Sequence, residues 1–490
     1  MNFLFFAYTG FSPNLISIFI SFYLIIYVIF SVFYSSVAIT CGVTNFYKKS
    51  YNFLLFILCS LIISSFLNIN VPFLSFNGQL IISDHSCGFE LMILFISLLC
   101  IMVSHNYVYF QKIFQYEYIC FLLFSILGLI LLCYSNDFLI LYVVLELQSL
   151  AFYLLAAFNW NSDYNAEAGL KYFVLGSFSS CLLLFGFSLI YFVYGTTNLE
   201  ILKHLILCNE NFDFLLLGII FILISFLFKV GAFPYHNWVL DVYEGSLTSV
   251  TMFFAIVPKI LLFYIILKLL TLTFFIENFF WSPILLFSSV FSIFFATFGA
   301  IYQKKIKRLL AYSSISHTGF ILLAIKACEL SSINSYVFYN LIYVFINLTI
   351  FAVIILSVTS SAFLKYLINW NFVFKRNFLV AVIFTLILFS VAGIPPLTGF
   401  FSKLLVLLSL FFSGGLITAF LVAILSCIGC FYYIRLIKIF FFGFSDQSFW
   451  ILSTSRNIEV ILIFSTFIVL ILLIHPNCLL MTSYLISFFF

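Results

Sequence analysis

The chain has 490 residues, and only 7% of them are Asp, Glu, Lys or Arg, against about 25% in a soluble globular domain. With 65% hydrophobic residues, a mean hydropathy of +1.27 and a net charge of +4, it has too few charges to cover a water-facing surface. A soluble enzyme, a nucleic-acid-binding protein and a disordered chain are excluded, and the chain is read as living in lipid.

A spanning helix needs about 20 apolar residues, so with short loops the chain has room for about fourteen spans. Long unbroken apolar runs such as Leu122–Cys133 and Ile219–Phe228 favour helices over the short alternating segments of a barrel. The fold expected is an all-α polytopic membrane protein. In chain order the spans fall at 14–40, 52–69, 88–106, 118–134, 137–158, 168–194 and 213–241. They continue at 247–270, 282–302, 308–327, 335–361, 377–412, 416–442 and 458–474. The tail Leu479–Phe490 is too short to span and suits the membrane interface. The N-terminus has no basic stretch before its first span and does not resemble a signal or transit peptide. The 72 Phe and 29 Tyr match A+T-rich coding and hint at an organelle genome.

Basic residues test this layout. Thirteen fall on one side: Lys48, Lys49, Lys112, Lys304, Lys305, Lys307, Arg308, Lys365, Lys375, Arg376, Arg435, Lys438 and Arg456. Three, Lys203, Lys268 and Lys326, fall on the other. By the positive-inside rule the first side is cytoplasmic or matrix, and both termini face away from it. Of the 20 Lys and Arg, four remain inside spans, Lys171, Lys229, Lys259 and Lys403, and one glutamate, Glu146, sits near the middle of its span. Each charge at mid-membrane costs about 2.5–3.5 kcal/mol on insertion scales, which makes such groups functional candidates.

Two spans are interrupted. One contains Lys229-Val230-Gly231-Ala232-Phe233-Pro234, the other Ala392-Gly393-Ile394-Pro395-Pro396. Gly231, Pro234, Gly393, Pro395 and Pro396 break the helical hydrogen-bond ladder. Unpaired backbone at this depth survives only when buried in protein or lining a wet cavity. Paired interruptions about 160 residues apart point to repeats around a transport site. Lys229 precedes the first break and Lys403 follows the second.

Each candidate has a plainer structural reading beside the functional one. Glu146 reads as a switchable carboxylate or a hydrogen-bonded structural carboxyl. Lys171 has Glu167 four residues earlier, the spacing of a helix ion pair. Lys403 can snorkel. Lys259, after Pro258, has no partner nearby in sequence. His317, among Ser313, Ser314, Ser316 and Thr318, is either a packing residue or one station of a proton wire. His236 suits an interfacial structural role. Most of the twelve cysteines read as small hydrophobes. The one close pair, Cys427 and Cys430, reads as packing residues. No metal-binding motif, haem motif or nucleotide-binding loop stands out, so no metal site and no redox centre are expected in this chain.

The stretches Phe228–Trp238, Asp241–Thr251 and Pro258-Lys259 resemble the subunit 2 family of NADH dehydrogenase, an antiporter-like membrane subunit of respiratory complex I (NADH:ubiquinone oxidoreductase). Glu146–Tyr153, Glu167–Phe173, Lys307–Gly319 and Ala392–Lys403 agree with it, and the run Asp241-Val242-Tyr243-Glu244-Gly245 separates it from sister subunits 4 and 5. Matches run from about residue 137 to 405. Leu240 and Leu247 depart from it, standing where the family usually has proline. The resemblance implies about fourteen helices with two inverted five-helix repeats, each holding one broken helix. The divisions expected are 1–117, 118–275 for the first repeat, 276–442 for the second, and 443–490.

The resemblance also implies roles. Glu146 would pair with Lys229, and the proton released when the pair separates would pass along Lys259, His317 and Lys403. Lys171 would be accessory, with His317 sharing that rank. NADH, FMN, iron–sulfur clusters and ubiquinone would be bound by other subunits. Partners would be the other membrane subunits, including antiporter-like neighbours, and lipids, with no nucleic acid. The location implied is the mitochondrial inner membrane, with basic loops on the matrix side. A cation/proton antiporter subunit of the same superfamily and a structural spacer are the rivals.

Overall fold

The computed structural model describes residues 43–67, 73–111, 113, 117–159, 161–208, 212–327, 330–358, 365–370, 378–442 and 456–474. The expected span 14–40, the tail 479–490, Lys112, Lys375 and Arg376 lie outside the described residues. Among the described residues, ten helices are long and apolar enough to cross a membrane, and four shorter apolar ones accompany them. In hydrocarbon, backbone groups must find partners within the protein, which is why runs of Leu, Ile and Phe here become helices despite their β-branching and aromatic bulk.

The chain divides into two compact units. The first comprises residues 1–101, 108–225 and 260–276, the second residues 102–107, 226–259 and 277–490.

The first unit contains α1 (Val43–Leu67), a short antiparallel hairpin of β1 (Phe73–Ser75) and β2 (Leu80–Ile82), and most of α2 (Asp84–Phe110). It continues with α3 (Glu117–Tyr134), α4 (Phe138–Ala156), α5 (Asp163–Tyr194) and α6 (Leu199–Cys208). Helices α3, α4 and α5 pack in succession. Asp137 caps α4 by accepting from the Leu139 N–H, and Gly195, at φ +67°, closes α5 as left-handed C-caps require. The hairpin and α6 were not foreseen: both are short, and α6 belongs to the connection after 194 rather than to a span.

The second unit is built around α10 (Asn278–Ile301), α11 (Ile306–Lys326), α12 (Leu330–Val358) and α15 (Leu416–Phe442), with α16 (Arg456–Ile474) against α12. Helix α9 (Thr248–Lys268), whose Lys259 end belongs here, is buried along nearly its whole length. By contrast α15 leaves much of its surface exposed, as a face toward lipid or a neighbouring subunit would.

The two long spans expected at 213–241 and 377–412 are each two helices. The first is α7 (Phe212–Val230) and α8 (Asn237–Gly245), the second α13 (Phe378–Ala392) and α14 (Thr398–Phe412). Both breaks use one device. Gly231 and Gly393 adopt φ of +77° and +83°, a region glycine enters without a Cβ penalty. In the first, Gly231 N–H donates to the Phe228 carbonyl and Ala232 N–H to Leu227; in the second, Gly393 donates to Ser390 and Ile394 to Phe389. These are the paired bonds of a Schellman motif, which satisfies the last carbonyls of a helix. Pro234 and Pro396 each stand three residues after the glycine, in a shared Gly-x-x-Pro register, and a cis peptide bond precedes each.

The halves of the second break lie close together. A Cβ built on Gly399 would sit 1.7 Å from the Ser390 carbonyl oxygen. Gly399→Ala should therefore lower the thermal unfolding midpoint of the detergent-solubilised protein, at a cost of at least about 1–3 kcal/mol. Gly88→Ala, where a Cβ meets nothing within 4 Å, should leave that midpoint unchanged or higher.

Candidate functional site

Lys259 lies one residue after Pro258 in α9 and is 4% exposed. Proline has no N–H, so the Phe254 carbonyl four residues earlier loses its regular partner. The Tyr343 hydroxyl of α12 bonds the adjacent Ala255 carbonyl at 2.9 Å. Among the described residues the Lys259 Nζ has no hydrogen-bond partner. It stands instead 5.9 Å from the ring centres of both Tyr243 and Tyr343. A cation over a ring face gains about 2 kcal/mol when both are shielded from water.

His317 follows on α11, buried, with its ring centre 5.5 Å from that of Tyr343. Its Nδ1 is hydrogen-bonded to the Tyr339 hydroxyl at 2.7 Å. The hydroxyls around it turn inward on their own helix: Ser313, Ser314, Ser316 and Thr318 each donate to the carbonyl three residues back. This satisfies their donors and leaves their oxygens free to accept.

Lys403 lies on α14 and reaches back across the second break. Its Nζ donates to the carbonyls of Val391 and Ala392 at 2.9 and 2.8 Å, and it stands 5.7 Å from the Phe320 ring centre. It thus caps the negative end of α13, where a cation is favoured. Snorkelling, the plainer reading, does not describe this: the ammonium is spent inside the fold. The Cys430 thiol donates to the same Ala392 carbonyl at 3.2 Å, a polar task that a packing role for the Cys427/Cys430 pair did not include.

Two small cavities adjoin both His317 and Lys403. One is lined by His317, Tyr339, Tyr343, Ser390, Ser402 and Lys403. The other includes Ser316, His317, Lys403, Tyr432 and Tyr433. Each has a volume of ≈ 10 Å³, the scale of a single water. The second unit thus places Tyr343 beside both Lys259 and His317, and His317 beside the same cavities as Lys403, an interior line of three ionisable groups.

The remaining candidates sit elsewhere. Lys229 occupies the last turn of α7, just before the Gly231 cap, and the neighbouring Phe228 carbonyl accepts from the Trp238 indole at 2.9 Å. Glu146, in the first unit, accepts from Ser149 Oγ at 3.4 Å. Lys171 pairs with Glu167 at 2.6 Å, with side chains 42% and 59% exposed. An exposed pair of this kind contributes about 0.3–0.5 kcal/mol. His236 joins an aromatic group with Phe233 and Phe295. Among the described residues no three His, Cys, Asp or Glu side chains are grouped to hold a metal ion.

Sequence reasoning missed the tyrosines. A signal existed: Tyr336, Tyr339, Asn340, Tyr343 and Asn347 form a polar stripe at helical spacing along α12. It also missed Glu244, at the end of α8, which binds Lys305 Nζ and lies 3.5 Å from Arg308 Nη1. Lys307, beside it, donates to the Ser246 carbonyl at 2.7 Å. In the first unit, Glu90 is 2% exposed and accepts from the Tyr134 hydroxyl.

Residues 135–429 match the family model described as NADH:quinone oxidoreductase/Mrp antiporter, TM. The chain is 37% identical over 407 residues to an NADH-quinone oxidoreductase subunit N of Pelagibacter ubique, covering 83% of this chain and 85% of that one. It is 34% identical over 415 residues to an NADH-ubiquinone oxidoreductase chain 2 of Marchantia polymorpha, covering 83% and 84%. Among solved structures it resembles a chain of respiratory complex I from Thermus thermophilus with bound aureothin. The TM-score there is 0.76 at 26% identity, covering 89% of this chain and 93% of that one. With its broken helices, its buried lysines and these likenesses, the chain belongs to the antiporter-like membrane subunits of the NADH:quinone oxidoreductase/Mrp antiporter family, beside subunit N and chain 2.

Proposed function

We propose that the chain is a proton-translocating membrane subunit of respiratory complex I, NADH:ubiquinone oxidoreductase. The observation that carries this is the interior line Lys259, His317, Lys403. Ionisable groups this deep in lipid are costly, and a fold keeps them where charge must move. In this reading Glu146 pairs with Lys229 and makes its ammonium tolerable. When the pair separates, keeping Lys229 charged becomes costly, and its proton leaves toward Lys259. From there it passes His317, whose imidazole can accept at one nitrogen and donate at the other, and reaches Lys403. Lys171 is accessory.

The energy scale is adequate. Moving one charge against 100 mV costs about 2.3 kcal/mol, and a change of one unit in proton affinity is about 1.4 kcal/mol. A change of two units at one lysine therefore covers the step.

The chain works as a multi-pass part of an enzyme complex. NADH oxidation, the FMN and iron–sulfur relay and ubiquinone reduction belong to other subunits, and this chain holds no redox group of its own. Its partners are the other membrane subunits, antiporter-like neighbours among them. Its membrane is the mitochondrial inner membrane, with the basic loops facing the matrix, and its inverted repeats span 118–275 and 276–442.

In vesicles carrying the parent complex with Lys229→Ala in this chain, NADH oxidation and proton uptake are measured together. Coupled turnover should fall at least about tenfold, equivalent to ~1.4 kcal/mol in the barrier, with the complex assembled and its peripheral NADH chemistry intact. An unchanged proton-to-electron ratio at full rate would leave the chain a scaffold. Lys403→Met should lose both coupled uptake and thermal stability, because the Val391 carbonyl at the end of α13 then lacks its donor and Ala392 keeps only the Cys430 thiol, at about 1–3 kcal/mol for a buried group left unpaired.

A further inference from the structure

We infer that Tyr243 and Tyr343 are positioning residues for Lys259, holding its ammonium between two ring faces in place of a carboxylate. This rests on the reading of Lys259 as a proton carrier, and it assigns the two tyrosines a part in that step.

Buried charges are ordinarily paired with an opposite charge. Among the described residues Lys259 has neither an ion pair nor a hydrogen bond at Nζ. What surrounds it is aromatic: both ring centres stand 5.9 Å away, and both tyrosines are buried, at 2% and 3% exposed. That is the distance at which a ring quadrupole attracts a cation. The two rings come from different elements and each is fixed independently. Tyr343 is tied to α9 by its hydroxyl on the Ala255 carbonyl. Tyr243 lies on α8, whose end is tied by Glu244 to Lys305 and Arg308. The cage therefore combines the second half of the first broken helix with α12.

The chemistry suits a relay better than a carboxylate would. A carboxylate beside Lys259 would form a strong, directional ion pair and could itself take the proton. A ring face stabilises the ammonium without offering a basic atom, so the proton stays on Nζ until another group accepts it. The Tyr343 ring is also the one next to His317. One side chain thus touches both the carrier and its successor.

The test uses the assembled complex in vesicles, with Tyr243 and Tyr343 each replaced by Phe and by Leu, alone and with Lys259→Met. Proton uptake per NADH oxidised and the thermal midpoint of the complex are both measured. Tyr243→Phe keeps the ring and should retain coupled uptake, while Tyr243→Leu should lower it about threefold to tenfold. Tyr343→Phe keeps its ring but loses the Ala255 bond, and Tyr243→Phe keeps its ring but loses a hydrogen bond with Ser314, so each Leu variant is read against the Phe variant at the same position. In the Lys259→Met background, each Leu replacement should lower the thermal midpoint less than it does beside Lys259, since the cation is gone. Equal lowering in both backgrounds, or Leu variants that pump as well as Phe variants, would overturn the cage. Unimpaired pumping by Lys259→Met alone would overturn the proton-carrier reading, while the midpoint comparison would still decide whether the rings hold the ammonium.

Discussion

Inside hydrocarbon a backbone N–H or C=O without a partner costs several kcal/mol, because no water is there to accept it. A helix that stops at mid-depth must therefore be capped by the protein itself. Both interrupted helices meet this constraint with the same glycine turn, closing two carbonyls by backbone bonds. The second break goes further and places the Lys403 ammonium on the next two, Val391 and Ala392. A charge that would be expensive alone thus compensates a helix end that would also be expensive alone. The first break uses an uncharged donor, the Trp238 indole on Phe228.

The polar interior of the second unit follows from the same rule. Serine and threonine hydroxyls along α11 donate to their own helix, and Ser313, Ser314 and Ser316 also hydrogen-bond with Tyr433, Tyr243 and Tyr432 of neighbouring helices. Tyrosines make further connections between elements: Tyr343 to Ala255, Tyr339 to His317. Tyrosine combines a large apolar body with one polar tip. It can fill a close-packed membrane core and still pass a hydrogen bond. Among the described residues such side chains line two small cavities beside His317, with Tyr339 and Tyr343 in one and Tyr432 and Tyr433 in the other.

The Asp241-Val242-Tyr243-Glu244-Gly245 run that resembled the subunit 2 family acquires a physical meaning. Tyr243 faces Lys259 and Glu244 grips Lys305 and Arg308. The same short helix is fastened at its end and presents a ring toward the buried charge. Lys171 shows the reverse case: its spacing from Glu167 implied an ion pair, and the pair forms on a well-exposed face, where it contributes little.

The sequence by itself determined the class. Composition, run length and the positions of buried charges are additive properties of the chain, and they suffice for an all-α membrane protein with two broken helices and a short set of candidate residues. It also determined where the breaks fall, because glycine and proline act on their own backbone. Tertiary structure decided the rest. That Lys403 turns back onto α13, and that Cys430 joins it on the same carbonyl, depend on which side chain reaches which atom across elements. Tyr339 and Tyr343 were legible only as part of a stripe on α12. Their partners, Lys259 on α9 and His317 on α11, lie far away in sequence, and no local periodicity encodes which face of one helix meets which face of another.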